Sequence, residues 1–207
     1  MTRPQPIRVV LPDTGPLISL ALGESLDLLL VVASDVRLVL TDVVEFEATH
    51  RADDLPDAQA IRAFLRDQAG RIEVMPTTIG SIALADLHRK AAAGLPAALP
   101  KDLGELSITN FVMSLRTANP GDAMLVIIED DWFAENAYAV PGNIHLLSTS
   151  ARLNGLEALG RIPSASDVRS RIRARRPHFR ADFLVDRPAE KIVDGTDWRS
   201  SFKGGPR

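Results

Sequence analysis

The chain has 207 residues, of which 45% are hydrophobic, and this length and composition suit one globular domain with a sizeable core. It contains no cysteine, which excludes a disulfide framework, a zinc–thiolate site and thiol catalysis. Its net charge is only −3, and no apolar run is long enough to cross a bilayer, so a membrane-spanning protein is not expected.

Short apolar runs alternate with helical patterns in the first half of the chain. Residues 7–11 form a β-branched run that is predicted to be a buried parallel strand, and Pro16 begins the helix after it. Further elements are expected in the order helix 25–32, strand 36–40, helix 41–49, helix 57–68, strand 71–75 and helix 82–93. This alternation is typical of a parallel sheet.

The second half continues the alternation around the most apolar segment of the chain, MLVII at 124–128. After a loop at 94–101, the elements are expected in the order helix 103–116, strand 124–128, helix 132–139, strand 144–147 and helix 151–159. Together they predict an α/β fold in which a central parallel sheet is flanked by helices on both faces. We assign residues 1–165 to this domain and residues 166–207 to a C-terminal extension, in which an Arg-rich helix is expected from about residue 170 and is followed by a tail.

Acidic side chains follow two of the predicted strands directly. Asp13 comes after the first strand, and Glu129, Asp130 and Asp131 come after the strand at 124–128. Because open α/β sheets bind ligands beyond the carboxyl ends of their strands, we expect these acids at one edge of the sheet. Each acid could instead cap the helix after it, although three consecutive acids exceed what one cap needs.

Two helices are predicted to add acids to the same edge. Glu47 competes with Glu45, since a separation of two residues puts them on different faces of a helix, and Glu105 lies in the first turns of the helix at 103–116. Converging carboxylates repel one another, so such a cluster persists only when a divalent cation neutralises it. With four histidines, none of them at the ligand spacing of another, oxygen ligands and hard cations such as Mg²⁺ or Mn²⁺ are favoured.

The sequence around these acids resembles the PIN-domain nucleases, in particular the VapC-type toxin ribonucleases and their relatives. The similar segments stand in the family's order: VLPDTGPLI at 10–18, VEFE at 44–47, LGELSI at 103–108, VIIEDDWF at 126–133, and LSTSARL followed by GRI within 147–162. The segment at 44–47 is similar to the family's second motif, in which an apolar residue stands three positions before a Glu, and this resemblance favours Glu47 over Glu45. The chain departs from the family in having Glu105 where Asp is common, and in an Arg-rich helix and tail that the short toxins lack.

The resemblance implies a PIN-like fold and a metal-dependent endoribonuclease, with the toxin of a toxin–antitoxin pair as one candidate role. The residues that would hold one or two Mg²⁺ or Mn²⁺ ions are Asp13, Glu47, Glu105 and Asp130. Asp131 would be a fifth ligand or would orient the attacking water, and Thr14 and Thr149 would hydrogen-bond a ligand carboxylate or the scissile phosphate.

The same residues are also compatible with two other functions. A non-catalytic PIN-like module would bind RNA or protein, although a binding module has no need of four mutually repelling acids. A metal-dependent phosphatase would act on small substrates and would have no affinity for nucleic acid.

The charge of the chain is unevenly distributed, which bears on its partners. Residues 1–160 carry 12 basic and 21 acidic side chains, whereas residues 161–181 carry seven arginines and one acid. The predicted helix places arginines on two sides, with Arg169, Arg173 and Arg176 on one and Arg171 and Arg175 on the other. We expect this basic surface to bind RNA phosphates through Arg173 and Arg176, or to dock on the acidic body of a second subunit; a solvated helix face is the alternative.

RNA, a cognate antitoxin and a second copy of the chain are therefore the expected partners. The polar start MTRPQPIR is unlike a secretory leader, so we expect the protein in the cytoplasm, with no membrane partner.

Overall fold

Parallel strands form a central sheet in the computed structural model, which describes residues 7–119, 122–130, 132–135 and 144–176. The strands are β1 (Ile7–Pro12), β2 (Arg37–Thr41), β3 (Ile72–Met75), β4 (Ala123–Ile128) and β5 (Ile144–Ser148). They pair in the order β3-β2-β1-β4-β5, and all four pairings are parallel. The predicted α/β fold with a central parallel sheet is thereby confirmed.

Helices connect and cover the strands. They are α1 (Thr14–Leu22), a 3₁₀ helix (Leu26–Leu30), α2 (Asp42–Thr49), α3 (Pro56–Asp67), α4 (Thr78–Ala92), α5 (Leu103–Ala118), α6 (Trp132–Glu135), α7 (Thr149–Ala158) and α8 (Ala165–Arg175). All six residues of β4 are buried, so both faces of the sheet are covered there. Within the described ranges, no helix combines the length and the apolar character that crossing a bilayer requires.

The order of the strands places a topological switch point between β1 and β4. The chain proceeds from β1 outward to β2 and β3, and then returns to β4 and β5 on the other side of β1. The backbone amide of Asp13 still donates to the carbonyl of Ile127, 2.9 Å away, so the ends of these two strands are held side by side. Ligands of open α/β sheets bind at such a position, beyond the carboxyl ends of the strands.

Two helices begin earlier than their apolar patterns predict, because hydroxyl side chains cap them. The helix expected from residue 82 begins at Thr78, where the Thr77 hydroxyl accepts from the Gly80 amide at 3.0 Å. The Arg-rich helix, expected from about residue 170, begins at Ala165, where the Ser164 hydroxyl accepts from the Asp167 amide at 3.1 Å. The helical segment expected at 25–32 is the shorter 3₁₀ helix.

Helix α8 packs on the domain through its apolar side. Val168 and Ile172 are buried and belong to the same core as the strands, and Ile172 is 0% exposed. The boundary placed between residues 165 and 166 therefore falls at the start of a helix that contributes to this core. The tail after residue 176 lies outside the described residues.

The arginines of α8 are largely exposed, and two of them also make hydrogen bonds to the rest of the domain. Arg171 and Arg175 donate to the carbonyls of Gly23 and Leu22, at 2.9 and 2.6 Å. These carbonyls lie at the carboxyl end of α1, where helices leave acceptors without an internal partner and where cations are favoured. Arg169 in turn donates to the Asn154 side chain at 2.6 Å. Much of the basic segment is thus used to attach α8 to the domain.

Replacing Ile172 with Ala should test this attachment. The change removes a fully buried side chain, so we expect the free energy of unfolding to fall by about 2–5 kcal/mol. Urea unfolding followed by circular dichroism measures the loss. The exposed neighbour Arg173→Ala is the matched control and should change the stability little; equal stability of the two variants would show that α8 is not part of the cooperative core.

Candidate metal centre

Asp13 lies at the end of β1 with its carboxyl group buried. It stands at the N-cap position of α1, yet its side chain makes no capping hydrogen bond, and only 5% of the residue is exposed. Burial, and next the charge of Glu105, raise the pKa of Asp13 well above its ordinary value, while the Thr14 amide lowers it. The capping role considered for Asp13 therefore does not account for its position.

Glu105 and Asp130 converge on Asp13 from two other elements. Glu105 lies in the first turn of α5, Asp130 follows β4, and carboxylate oxygens of the three residues lie within 4.8 Å of one another. Burial, and next the proximity of Asp130, raise the pKa of Glu105 to about 7, against an opposing effect of its own backbone amide. Asp130 also accepts a hydrogen bond from the Trp132 amide at 3.0 Å, so it caps the short helix α6 as well.

Glu47 extends this cluster, whereas Glu45 faces elsewhere. The Thr14 hydroxyl donates to Oε2 of Glu47 at 2.9 Å, and the charge of Glu47 raises the pKa of both Asp13 and Glu105. Burial raises the pKa of Glu47 itself, although the hydrogen bond from Thr14 opposes the shift. Glu45 instead accepts from the Thr49 hydroxyl within its own helix, at 3.3 Å.

Gly104 is a residue of this site that the sequence patterns did not single out for a physical role. A Cβ atom at this position would lie 2.7 Å from Oε2 of Glu47 and 3.6 Å from Oδ1 of Asp13. The first turn of α5 can therefore approach the two carboxylates closely only because residue 104 has no side chain. The pair Gly104-Glu105 was visible in the sequence, but the reason for the glycine depends on Glu47, 57 positions away.

The carboxyl group of Glu129 is also buried, beside the cluster formed by the four acids above. The residue is 4% exposed, and Oε2 accepts from the Ser19 hydroxyl at 2.7 Å. Burial is the main cause of its raised pKa, which the hydroxyls of Thr149 and Ser19 and the charge of Arg176 lower. The Thr149 hydroxyl adjoins this carboxyl group without meeting hydrogen-bond geometry, so the structure associates Thr149 with Glu129.

The two arginines expected to bind substrate differ in their surroundings. Arg176 donates to the Ser19 hydroxyl at 3.3 Å and lies close enough to Glu129 to lower the pKa of that acid. Arg173 is exposed on α8. The structure thus leaves the Arg173 side chain in solvent and places that of the partly buried Arg176 near the Glu129 carboxyl group. Asp131, expected as a fifth ligand or an orienting group, lies outside the described residues.

The arrangement suits a hard divalent cation. Asp13, Glu105 and Asp130 supply only oxygen ligands, which Mg²⁺ and Mn²⁺ prefer, and Glu47 adjoins them. Without a cation, the carboxyl groups reduce their repulsion by holding protons, as the raised pKa values indicate. Comparisons with models of protein families, with curated proteins and with solved structures found no match to this chain.

The raised pKa values predict how stability depends on pH. The folded state holds more protons than the unfolded state, because the acids of the site, Glu105 above all, have a higher pKa when folded. Without divalent ions, the contribution of these acids to the stability is therefore fully present below the ordinary Glu pKa of 4.5 and should be lost as the pH rises through about 7. A Mn²⁺ ion held at this site would bind the ionised carboxylates, so we expect stabilisation by Mn²⁺ to grow over the same range.

Thermal unfolding between about pH 5 and about pH 8, with a chelator and with Mn²⁺, measures both effects. The variant Glu105→Gln should lessen the pH dependence, because Gln does not titrate. A stability that rises with pH in the presence of the chelator would contradict the assignment.

Proposed function

We propose that the protein is a metal-dependent endoribonuclease that hydrolyses RNA phosphodiester bonds with Mg²⁺ or Mn²⁺ as its cofactor. The observation that carries the proposal is the meeting of Asp13, Glu105 and Asp130, from three separate elements, beside the switch point of the sheet. Glu47 would complete the set of four carboxylates. The PIN-like order of the motifs supports the same assignment, since each acid belongs to a segment that resembles that family.

The bound ion would act as a Lewis acid on the phosphoryl group and would lower the pKa of the water that attacks phosphorus. The chain's own residues hold the site in position. Asp13 and Asp130 are fixed at the ends of adjacent strands, and the Thr14 hydroxyl orients the Glu47 carboxylate. Because Asp13 is buried and the carboxyl groups around it are partly buried, repulsion among them favours occupation by a divalent cation over an empty, ionised site.

The proposed substrate and partners derive from the resemblance and from the distribution of charge. RNA is the substrate, and Arg173, which is exposed, remains a candidate for phosphate contact, whereas Arg176 supports the Glu129 carboxyl group. We include in the proposal a role as the toxin of a toxin–antitoxin pair, assembly as a homodimer and a cytoplasmic location. A non-catalytic PIN-like module would have the same fold but would not cleave RNA, so a cleavage assay distinguishes the two.

Asn substitutions at Asp13 and Asp130 should separate catalysis from stability. Each change keeps the shape of the side chain and removes one charge, so RNA cleavage should fall by about a hundredfold or more in Mg²⁺ or Mn²⁺. Metal-free thermal stability should be preserved or raised, because mutual repulsion is reduced. Cleavage of a labelled RNA and thermal unfolding with a chelator are the measurements.

The wild-type protein treated with a chelator provides the reference for lost cleavage, and re-addition of Mn²⁺ should restore activity to it but not to either variant. Normal cleavage by Asp130→Asn would show that this residue is only the cap of α6. Unfolding of Asp13→Asn would show a structural role for the carboxyl group. Cleavage that persists fully with the chelator would refute the metal-dependent mechanism.

Glu47 and Glu45 offer a matched pair on one helix. Glu47→Gln should weaken both Mn²⁺ binding and cleavage, because the altered side chain adjoins the carboxylate cluster. Glu45→Gln should leave both near the wild-type values, since Glu45 is paired with Thr49. Calorimetric titration with Mn²⁺ and the RNA assay measure the two properties. Equal losses in the two variants would mean a general effect of charge on α2 rather than a contact at the site.

A further inference from the structure

An open groove adjoins the carboxylate cluster on the side of Glu47. It has a volume of about 530 Å³ and lies between α2, α4 and the loop that leads to α5. Phe46 and His50 on α2, Leu87 and His88 on α4, and Leu99 of the loop line it. The volume lies within the usual range of sites for small organic ligands.

Aromatic rings dominate one wall of this groove. The rings of Phe46 and His50 are stacked, with centroids 4.9 Å apart and planes inclined by 9°. The His88 ring meets Phe46 edge-on, with centroids 6.3 Å apart and planes inclined by 73°. Since Phe46 and His50 lie four residues apart on α2 and His88 on α4, the two helices together assemble this group of rings.

Hydrogen bonds fix the orientation of the His50 ring. Its Nδ1 lies 3.1 Å from the backbone carbonyl of Phe46 and 3.1 Å from that of Glu47. Carbonyl oxygens only accept, so Nδ1 must carry a proton and donate to them. In the neutral ring this leaves Nε2 as an acceptor. The groove therefore offers an apolar, aromatic surface and a hydrogen-bonding atom on a ring held in place.

Glu47 connects the groove to the carboxylate cluster. Its side chain lines the groove, while its Oε2 accepts from Thr14 and its charge acts on Asp13 and Glu105. A phosphate bound at the cluster would thus lie beside the entrance to an aromatic groove. Nucleic-acid-binding proteins use this combination of a phosphate site and stacking rings for single strands.

We propose that this groove is a nucleobase subsite, in which a base next to the scissile phosphate stacks on the ring group of Phe46, His50 and His88. The inference rests on the proposed function, because it assumes that RNA is the substrate of the cluster. A base enters with its planar face against these rings. The stacking is sequence-tolerant, since every base has a π-face, and the subsite selects unpaired RNA over a duplex.

The first experiment tests the groove without any metal. Proton NMR of the full-length protein, in the presence of a chelator, records the ring signals of Phe46, His50 and His88 during titration with adenosine. Ribose, which lacks the base, is the matched probe. We expect adenosine, but not ribose, to shift these signals. If adenosine and ribose shift these ring signals equally, the inference is overturned, whether or not the carboxylate cluster binds a metal ion.

The second experiment joins the groove to the metal centre. Calorimetry in Mg²⁺ compares adenosine monophosphate with ribose phosphate, neither of which contains a phosphodiester bond to cleave. We expect adenosine monophosphate to bind about fivefold more tightly or better, from stacking of the base. Phe46→Leu should remove most of that preference, and His88→Ala, a change at a side chain near the surface, should reduce it without affecting folding.

Phe64→Leu is the control, because Phe64 is a half-buried phenylalanine of α3 that packs against the core and does not line the groove. It should leave the preference for adenosine monophosphate unchanged. A preference that is lost equally in Phe46→Leu and Phe64→Leu would overturn the inference in favour of a general packing effect.

The remaining outcomes separate failure of the subsite from failure of the proposed function. If Mn²⁺ binding depends on Asp130 but adenosine monophosphate and ribose phosphate bind with equal affinity, the proposed subsite is refuted and the proposed metal centre is retained. Adenosine binding without Asp130-dependent Mn²⁺ binding would refute the proposed function and the link between groove and cluster. Binding of N-acetyl-leucinamide as tightly as adenosine would identify a protein-docking groove instead, and a dimer that Phe46→Leu dissociates would identify a subunit interface.

Discussion

Burial of the Asp13 carboxyl group is the constraint on which the rest of this site depends. A carboxylate that is removed from water and surrounded by other acids cannot remain ionised without a counter-charge. The pKa values of Asp13, Glu47 and Glu105 are raised for this reason, and burial is the largest cause of each shift. Protons relieve it in acid, and a divalent cation would relieve it at neutral pH, where the ionised oxygens become ligands.

The sheet creates this conflict by its topology. Parallel pairing of β1 with β4 brings Asp13 and Asp130 to the same edge, at the one place where neighbouring strands belong to different halves of the chain. Helix α5 then brings Glu105 to the edge, and the missing side chain of Gly104 allows its first turn to approach Glu47 and Asp13. The repulsion is tolerated because these backbone positions are set by a large apolar core, which includes the fully buried Leu11 and Ile127.

Three arginines differ from these acids, because backbone carbonyls of the chain accept their hydrogen bonds. Arg152 is buried and donates to the carbonyls of Leu28 and Val31, at 2.8 and 3.2 Å, around the end of the 3₁₀ helix. Burial lowers its pKa to about 10, so it still carries its charge at neutral pH. Arg171 and Arg175 similarly satisfy carbonyls at the end of α1. These three arginines thus secure helix ends, whereas the carboxylates of the cluster meet at the sheet edge.

The sequence by itself determined the succession of strands and helices, because periodic burial of apolar side chains and capping chemistry act over a few residues. It also identified Asp13, Glu47, Glu105 and Asp130 as acids near the ends or beginnings of elements. Only the tertiary structure decided which of them meet, that the Thr149 hydroxyl lies beside the Glu129 carboxyl group, and that Arg171 and Arg175 of α8 donate to carbonyls at the end of α1. It also brought His88 of α4 against Phe46 of α2, a contact that no local spacing reveals. The physical reason is that local sequence sets the period of each element, whereas the distances between side chains of different elements depend on strand order and core packing.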